Sequence, residues 1–155
     1  MKNSNKLLFV FLIFCSVNVL SQVKDITKEE ANALCNRVSE IKELPYDYGQ
    51  KGIDVVYDLL IDAGESVVPC LIEKITDTTV MSDPRCPRIS EETKVGDVAF
   101  FVLVRITEIK FTEFLPSDVQ EKYKTEGVYA YHDYIERKGK RKELKSKLQN
   151  WYKQK

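Results

Sequence analysis

Val98-Ala99-Phe100-Phe101-Val102-Leu103-Val104 is the most hydrophobic stretch of this chain outside its N-terminal leader, and its reading decides the fold. Seven consecutive apolar residues carry no periodicity, so a buried helix and a buried strand both fit, and the valines lean towards strand. Two flanking features argue for helix. Gly96-Asp97 stands in front of the run as a helix start, and the apolar pattern extends beyond it through Ile106 and Ile109. The stretch predicts a central helix buried on all sides.

The segments around it read as further helices. Residues 27–44 open with Thr27 and Glu30 at the spacing of a capping box, in which each side chain bonds an orphan amide of the first turn. Ala31, Leu34, Cys35, Val38 and Ile41 then repeat every three or four residues as one apolar stripe. Pro45 and Gly49 break the chain. Residues 53–63 predict a second helix stopped by Gly64, since glycine best tolerates the backbone that follows a helix end. Ser66 caps a third, running to about Thr76 with Pro69 in its first turn. Residues 78–94 form a long polar loop, and loops of that length in a small domain are functional or mobile. Ser117 and Gln120 give a second capping box for a short helix ending by Gly127. From Val128 the chain is helical with a weak point at Gly139, and Leu144, Leu148, Trp151 and Tyr152 supply the last apolar face.

The leader is read from its own layout. Lys2 and Lys6 precede an apolar core at residues 7–14, and Val19-Leu20-Ser21 sets up a cut ahead of Gln22. That is a secretory signal peptide, too short and wrongly flanked to span a membrane. Phe14 in front of Cys15 rules out a lipid-anchor motif, which needs a small residue there. Processing leaves residues 22–155, one domain of 134 residues, in an oxidising compartment; the expected address is the periplasm of a Gram-negative-type cell. With 31% charged and 43% hydrophobic residues, the composition is that of a globular rather than a disordered chain.

Cysteine and charge usage add further expectations. Of Cys35, Cys70 and Cys86, Cys35 shares the apolar stripe of the first helix and reads as a buried inert thiol. Cys86 sits in the turn Asp83-Pro84-Arg85-Cys86-Pro87, so a Cys70–Cys86 bridge tying that loop to the preceding helix is expected. No Cys-x-x-Cys and a lone histidine, His132, give no metal-type spacing and no implied cofactor. Charge is uneven: residues 22–135 hold thirteen basic and twenty-two acidic groups, a local −9, whereas 136–155 hold nine against two, a local +7. An acidic body suits a basic protein partner. The basic C-terminal helix reads as a solvated face or a tail lying on its own body, with contact to a membrane surface as the functional alternative; secretion argues against nucleic acid.

One internal echo organises the helices. Asp54-Val55-Val56-Tyr57-Asp58-Leu59-Leu60-Ile61 aligns without gaps on Asp97-Val98-Ala99-Phe100-Phe101-Val102-Leu103-Val104, 43 positions later. Both begin Asp-Val, with an aromatic fourth and Leu seventh, and each is followed by a second helix. Over about residues 53–125 the chain resembles HEAT and armadillo helical repeat proteins, whose repeats have this length. The resemblance implies an all-α fold, a short antiparallel helical array that binds other macromolecules, and no catalytic residues.

Asp77, Asp83, Arg85, Asp97 and Arg105 bracket the long loop and the central helix and are the candidate binding residues. Asp97 reads as a helix cap, and Asp77 at a helix end opposes the dipole and so calls for a cationic partner. Arg105, inside the most apolar run, must snorkel out or pair with a carboxylate. Structural pairs Asp77–Arg105 or Asp97–Arg85 are the favoured reading, and a recognition surface around the Asp-Pro-Arg turn is the functional one. His132 beside Asp133 gives no triad geometry, and no nucleophile elbow or phosphate loop is present. Together these features point to a secreted, non-enzymatic protein-binding module, of immunity or inhibitor type. An envelope hydrolase using an acidic pair, or a structural or membrane-surface protein, is the alternative.

Overall fold

The computed structural model describes residues 26–45, 52–81 and 92–155. The segment expected to be a leader, Cys86, Asp83 and Arg85 lie outside the described residues. Among those described, seven α-helices carry the fold: α1 (Lys28–Asn36), α2 (Val55–Ala63), α3 (Val68–Lys74), α4 (Val95–Thr107), α5 (Ser117–Glu126), α6 (Val128–Ile135) and α7 (Lys140–Gln154). No extended strand occurs among them, and an isolated antiparallel bridge joins Val80 to Lys94. The protein is all-α.

The Phe-Phe stretch is the central helix. Val98, Ala99, Phe100, Val102 and Leu103 of α4 are fully buried, whereas Phe101 and Arg105 leave one face only half-covered, so the expected burial on all sides is incomplete. Its most extensive neighbour is α3, whose Leu71, Ile72 and Ile75 are also buried. Gly96 makes that approach possible. A Cβ there would stand 2.4 Å from the Ile75 carbonyl oxygen, and the Gly96 amide donates to the Asp77 carbonyl at 3.0 Å. Helix α1 packs on α2 and α3, α5 on α6, and α7 on α3 and α6.

Local sequence sets most helix ends. The Thr27–Glu30 capping box forms as expected, with reciprocal bonds of 3.2 and 2.8 Å. Helix α1 ends at Asn36 rather than continuing to residue 44. The chain tightens into a 3-10 turn, Arg37–Glu40, and then extends, the Lys42 amide donating to Asp54 Oδ2. Cys35, Val38 and Ile41 still reach the core, because a three-residue turn keeps their spacing on one face. Gly64 ends α2 at φ +56°. Neither Ser66 nor Ser117 acts as a cap: Ser66 lies inside the 3-10 turn Gly64–Val67, and Pro116 occupies the cap position of α5. Gln120 instead donates from its side chain to the Leu115 carbonyl. Gly127 and Gly139 separate α5, α6 and α7 as the sequence predicts.

The disulfide joins Cys35 and Cys70, correcting the expected Cys70–Cys86 pairing. Cys35 does lie on the core face of α1, but α3 packs against that same face and brings the two Cα atoms to 6.2 Å. A loop-closing bridge is local, whereas the observed one crosses two helices 35 residues apart.

The two echoing segments are α2 and the first part of α4, yet their aligned aspartates differ. Asp54 caps α2 directly, accepting from the Val56 and Tyr57 amides at 2.9 and 3.0 Å. Asp97 stands at the third position of α4 and reaches back to the Lys94 amide at 3.0 Å.

Candidate functional site

Asp97 is fully buried, and both of its oxygens are engaged. Oδ1 accepts from the Tyr131 hydroxyl at 3.0 Å and Oδ2 from Arg141 Nη2 at 3.1 Å. Arg141 Nη1 lies 2.9 Å from Oδ1 but off the hydrogen-bonding line, so it contributes charge there rather than a bond. Arg141 also donates to Glu136 at 2.7 Å, and Glu136 in turn pairs with Lys94. One buried network therefore ties the start of α4 to α6 and α7. Burial opposes the Arg141 charge, but its bonds to Asp97 hold its pKa above the usual arginine value. Burial likewise works to raise the Glu136 carboxyl, and the bonds from Lys94 and Arg141 outweigh it and hold it low. Burial, then the Asp97 charge, pushes the Tyr131 hydroxyl well above the ordinary tyrosine range. A carboxylate so enclosed holds an element in place; it offers no face to a substrate.

Asp97 thus pairs with Arg141, while the Arg85 that sequence reasoning offered as its partner lies outside the described residues. Asp77 does not pair with Arg105. Asp77 accepts from the Thr79 amide at 3.0 Å and lies beside Gly96, while Arg105 is nine residues further along α4, about 13 Å by helical rise. Asp77 and Asp97 meet at one end of α4 and Arg105 stands at the other.

Arg105 lines a groove. Val104, Arg105, Glu108, Ile109, Phe111 and Tyr123 enclose a cavity of about 410 Å3 between the end of α4, the connection 108–116 and α5. Phe111 and Tyr123 also border an adjoining depression of about 360 Å3, with Lys110, Gln120, Glu121 and Lys124 on its rim. The floor is fixed by aromatic packing: the Phe111 ring lies 5.1 Å from Phe100, 5.3 Å from both Tyr123 and Tyr131, and 5.6 Å from Phe101. Tyr131 links that floor to Asp97. Further along the same connection, α7 holds Phe114: Lys147 donates to its carbonyl at 3.1 Å and Trp151 packs edge-on against its ring. Glu108, at the lip, adopts φ +54°, a left-handed backbone that costs a non-glycine residue about 1 kcal/mol. Strain of that kind collects at functional sites.

No protein family, curated protein or solved structure matches this chain. No group of His, Cys, Asp and Glu suited to a metal ion occurs among the described residues. The residues that sequence reasoning missed are Arg141, Tyr131, Phe111 and Tyr123. Arg141 was legible: it falls three residues before Leu144 and seven before Leu148, on the apolar stripe of α7, where a guanidinium must find a buried carboxylate. Phe111 and Tyr123 carry no such signal, because an irregular connection brings them together.

Proposed function

We propose that this protein is a secreted, periplasmic, non-enzymatic protein-binding module of the immunity or inhibitor kind, built as a short HEAT-like helical array. The groove beside Arg105 carries this reading. Arginine and tyrosine beside a rigid phenylalanine floor are the residue types that dominate binding energy at protein interfaces, and a pocket for an anchoring side chain is where such energy concentrates. The enclosed Asp97 supports it too, since the carboxylate best placed by sequence is spent on holding α4, α6 and α7 together. A disulfide inside the core fits an oxidising compartment, and no helix among the described residues is long and apolar enough to cross a membrane.

The basic C-terminal helix supports a module that binds through local contacts rather than net charge. Lys145 pairs with Glu73 at 2.7 Å, Lys155 with Glu65 and Arg141 with Asp97, so the tail lies on the acidic body. Residues 22–155 together carry only −2. The test is capture from envelope extract by the immobilised protein at low and high salt. A partner retained in stoichiometric amount at both is expected; none at either salt sinks the reading. A toxin or secreted enzyme gene next to this one would name the partner class.

A further inference from the structure

Arg105 is half-buried among Val104, Ile109, Phe111 and Tyr123, and among the described residues it forms no ion pair or hydrogen bond. Most of the other half-buried cations among the described residues do otherwise. Arg141 takes Asp97 and Glu136, Lys94 takes Glu136, and Lys145 takes Glu73. A guanidinium offers five donors in a rigid fork matched to a carboxylate, and beside aromatic walls it gains more from such a partner than it would in open water.

The local charges agree. In the adjoining depression Lys124 is matched by Glu121 at 2.6 Å, leaving Arg105 and Lys110 against Glu108, a groove of net positive sign on an acidic body. The two connected spaces are in the size range that takes a few amino-acid residues rather than a whole protein face.

We propose that the groove receives an extended segment of a protein partner in which an acidic residue adjoins an aromatic or large aliphatic one. The apolar side chain packs on Phe111 and Tyr123, and the neighbouring carboxylate takes the Arg105 fork in two parallel hydrogen bonds. This names the docking segment of the binding module proposed above and rests on that reading. A lysine-bearing segment meets like charge from Arg105 and Lys110. A second copy of this chain is the other occupant, and it appears as a dimer that excludes peptide.

The probes are the tetrapeptide acetyl-Leu-Phe-Asp-Leu-amide and its Asn and Lys counterparts, titrated into the disulfide-bonded protein and followed by amide chemical shifts. The Asp peptide is expected to shift Arg105, Phe111 and Tyr123 saturably. It should bind about tenfold tighter than the Asn peptide, about 1.4 kcal/mol, with the Lys peptide weakest. In Arg105→Gln the preference for Asp over Asn should vanish while the melting temperature holds. Three equally bound peptides, no saturable shift at the groove, a preference that survives Arg105→Gln, or a dimer that excludes peptide would each overturn the assignment. Capture by wild type and Arg105→Gln separates the two claims. A partner retained equally by both leaves the module standing and removes the groove, whereas no partner for either removes the module.

Discussion

Asp97 shows what one buried carboxylate does when each oxygen has a donor. Its removal leaves the Arg141 guanidinium without its main counter-charge and the Tyr131 hydroxyl and Lys94 amide without acceptors. Asp97→Ala should therefore lose about 3–5 kcal/mol in urea unfolding. Asp97→Asn combined with Arg141→Gln should cost at least about 1 kcal/mol less than the two single changes added together, because the residues share one network. Additive costs would show that the pair is not coupled.

The same neighbourhood sets the pH response. His132 is nearly enclosed, packs edge-on against Tyr131 and leaves Nε2 without a partner; burial lowers its pKa below the ordinary 6.5. The unfolded chain then binds the proton more readily than the folded one, so this contribution is complete above pH 6.5 and is lost as pH falls below it. Glu136, whose folded pKa is also lowered, removes stability further down, below its ordinary 4.5. Tyr131, raised, removes it on the alkaline side above 10. Urea midpoints should be flat from about pH 7 to 9 and fall by pH 5.5, and His132→Phe should flatten the fall between 7 and 5.5. An unchanged slope in that variant would clear His132 of the effect.

The helices themselves were legible wherever apolar spacing and a stop signal coincided. Gly64, Gly127 and Gly139 separate helices, and α4 is the central helix that the Gly96-Asp97 start and the apolar pattern through Ile109 predict. Their caps were less legible. Ser66 and Ser117 have the right chemistry, but the chain enters α3 through a 3-10 turn and α5 through Pro116. Gly96 does lie in the first turn of α4, and its missing side chain is also what lets α4 meet the Ile75 carbonyl. Gly96→Ala should cost about 1–3 kcal/mol, since the atom in the way is backbone and the two helices must part. A thermal melt within a degree or so of wild type would show that α3 and α4 slide at little cost.

Across the whole molecule, pairing between distant segments decides what the elements do. The Cys35–Cys70 bridge closes a loop of 35 residues and restricts the unfolded chain by about 4 kcal/mol in the loop-entropy model. Non-reducing peptide mapping should recover a Cys35–Cys70 linked pair, and Cys35→Ala with Cys70→Ala should lower the urea midpoint to match. A Cys86-linked fragment would refute that connectivity. The basic tail likewise takes its role from its neighbours, folding Lys145, Lys155 and Arg141 onto Glu73, Glu65 and Asp97. By itself the sequence determined that the described chain is helical, which faces are apolar and where α4 sits, because periodicity and stop residues are local properties of the backbone. Only the tertiary structure decided which cysteines join, which arginine neutralises Asp97 and which is left to line a groove. Those choices depend on which helices pack together, and residues tens of positions apart meet only once they do.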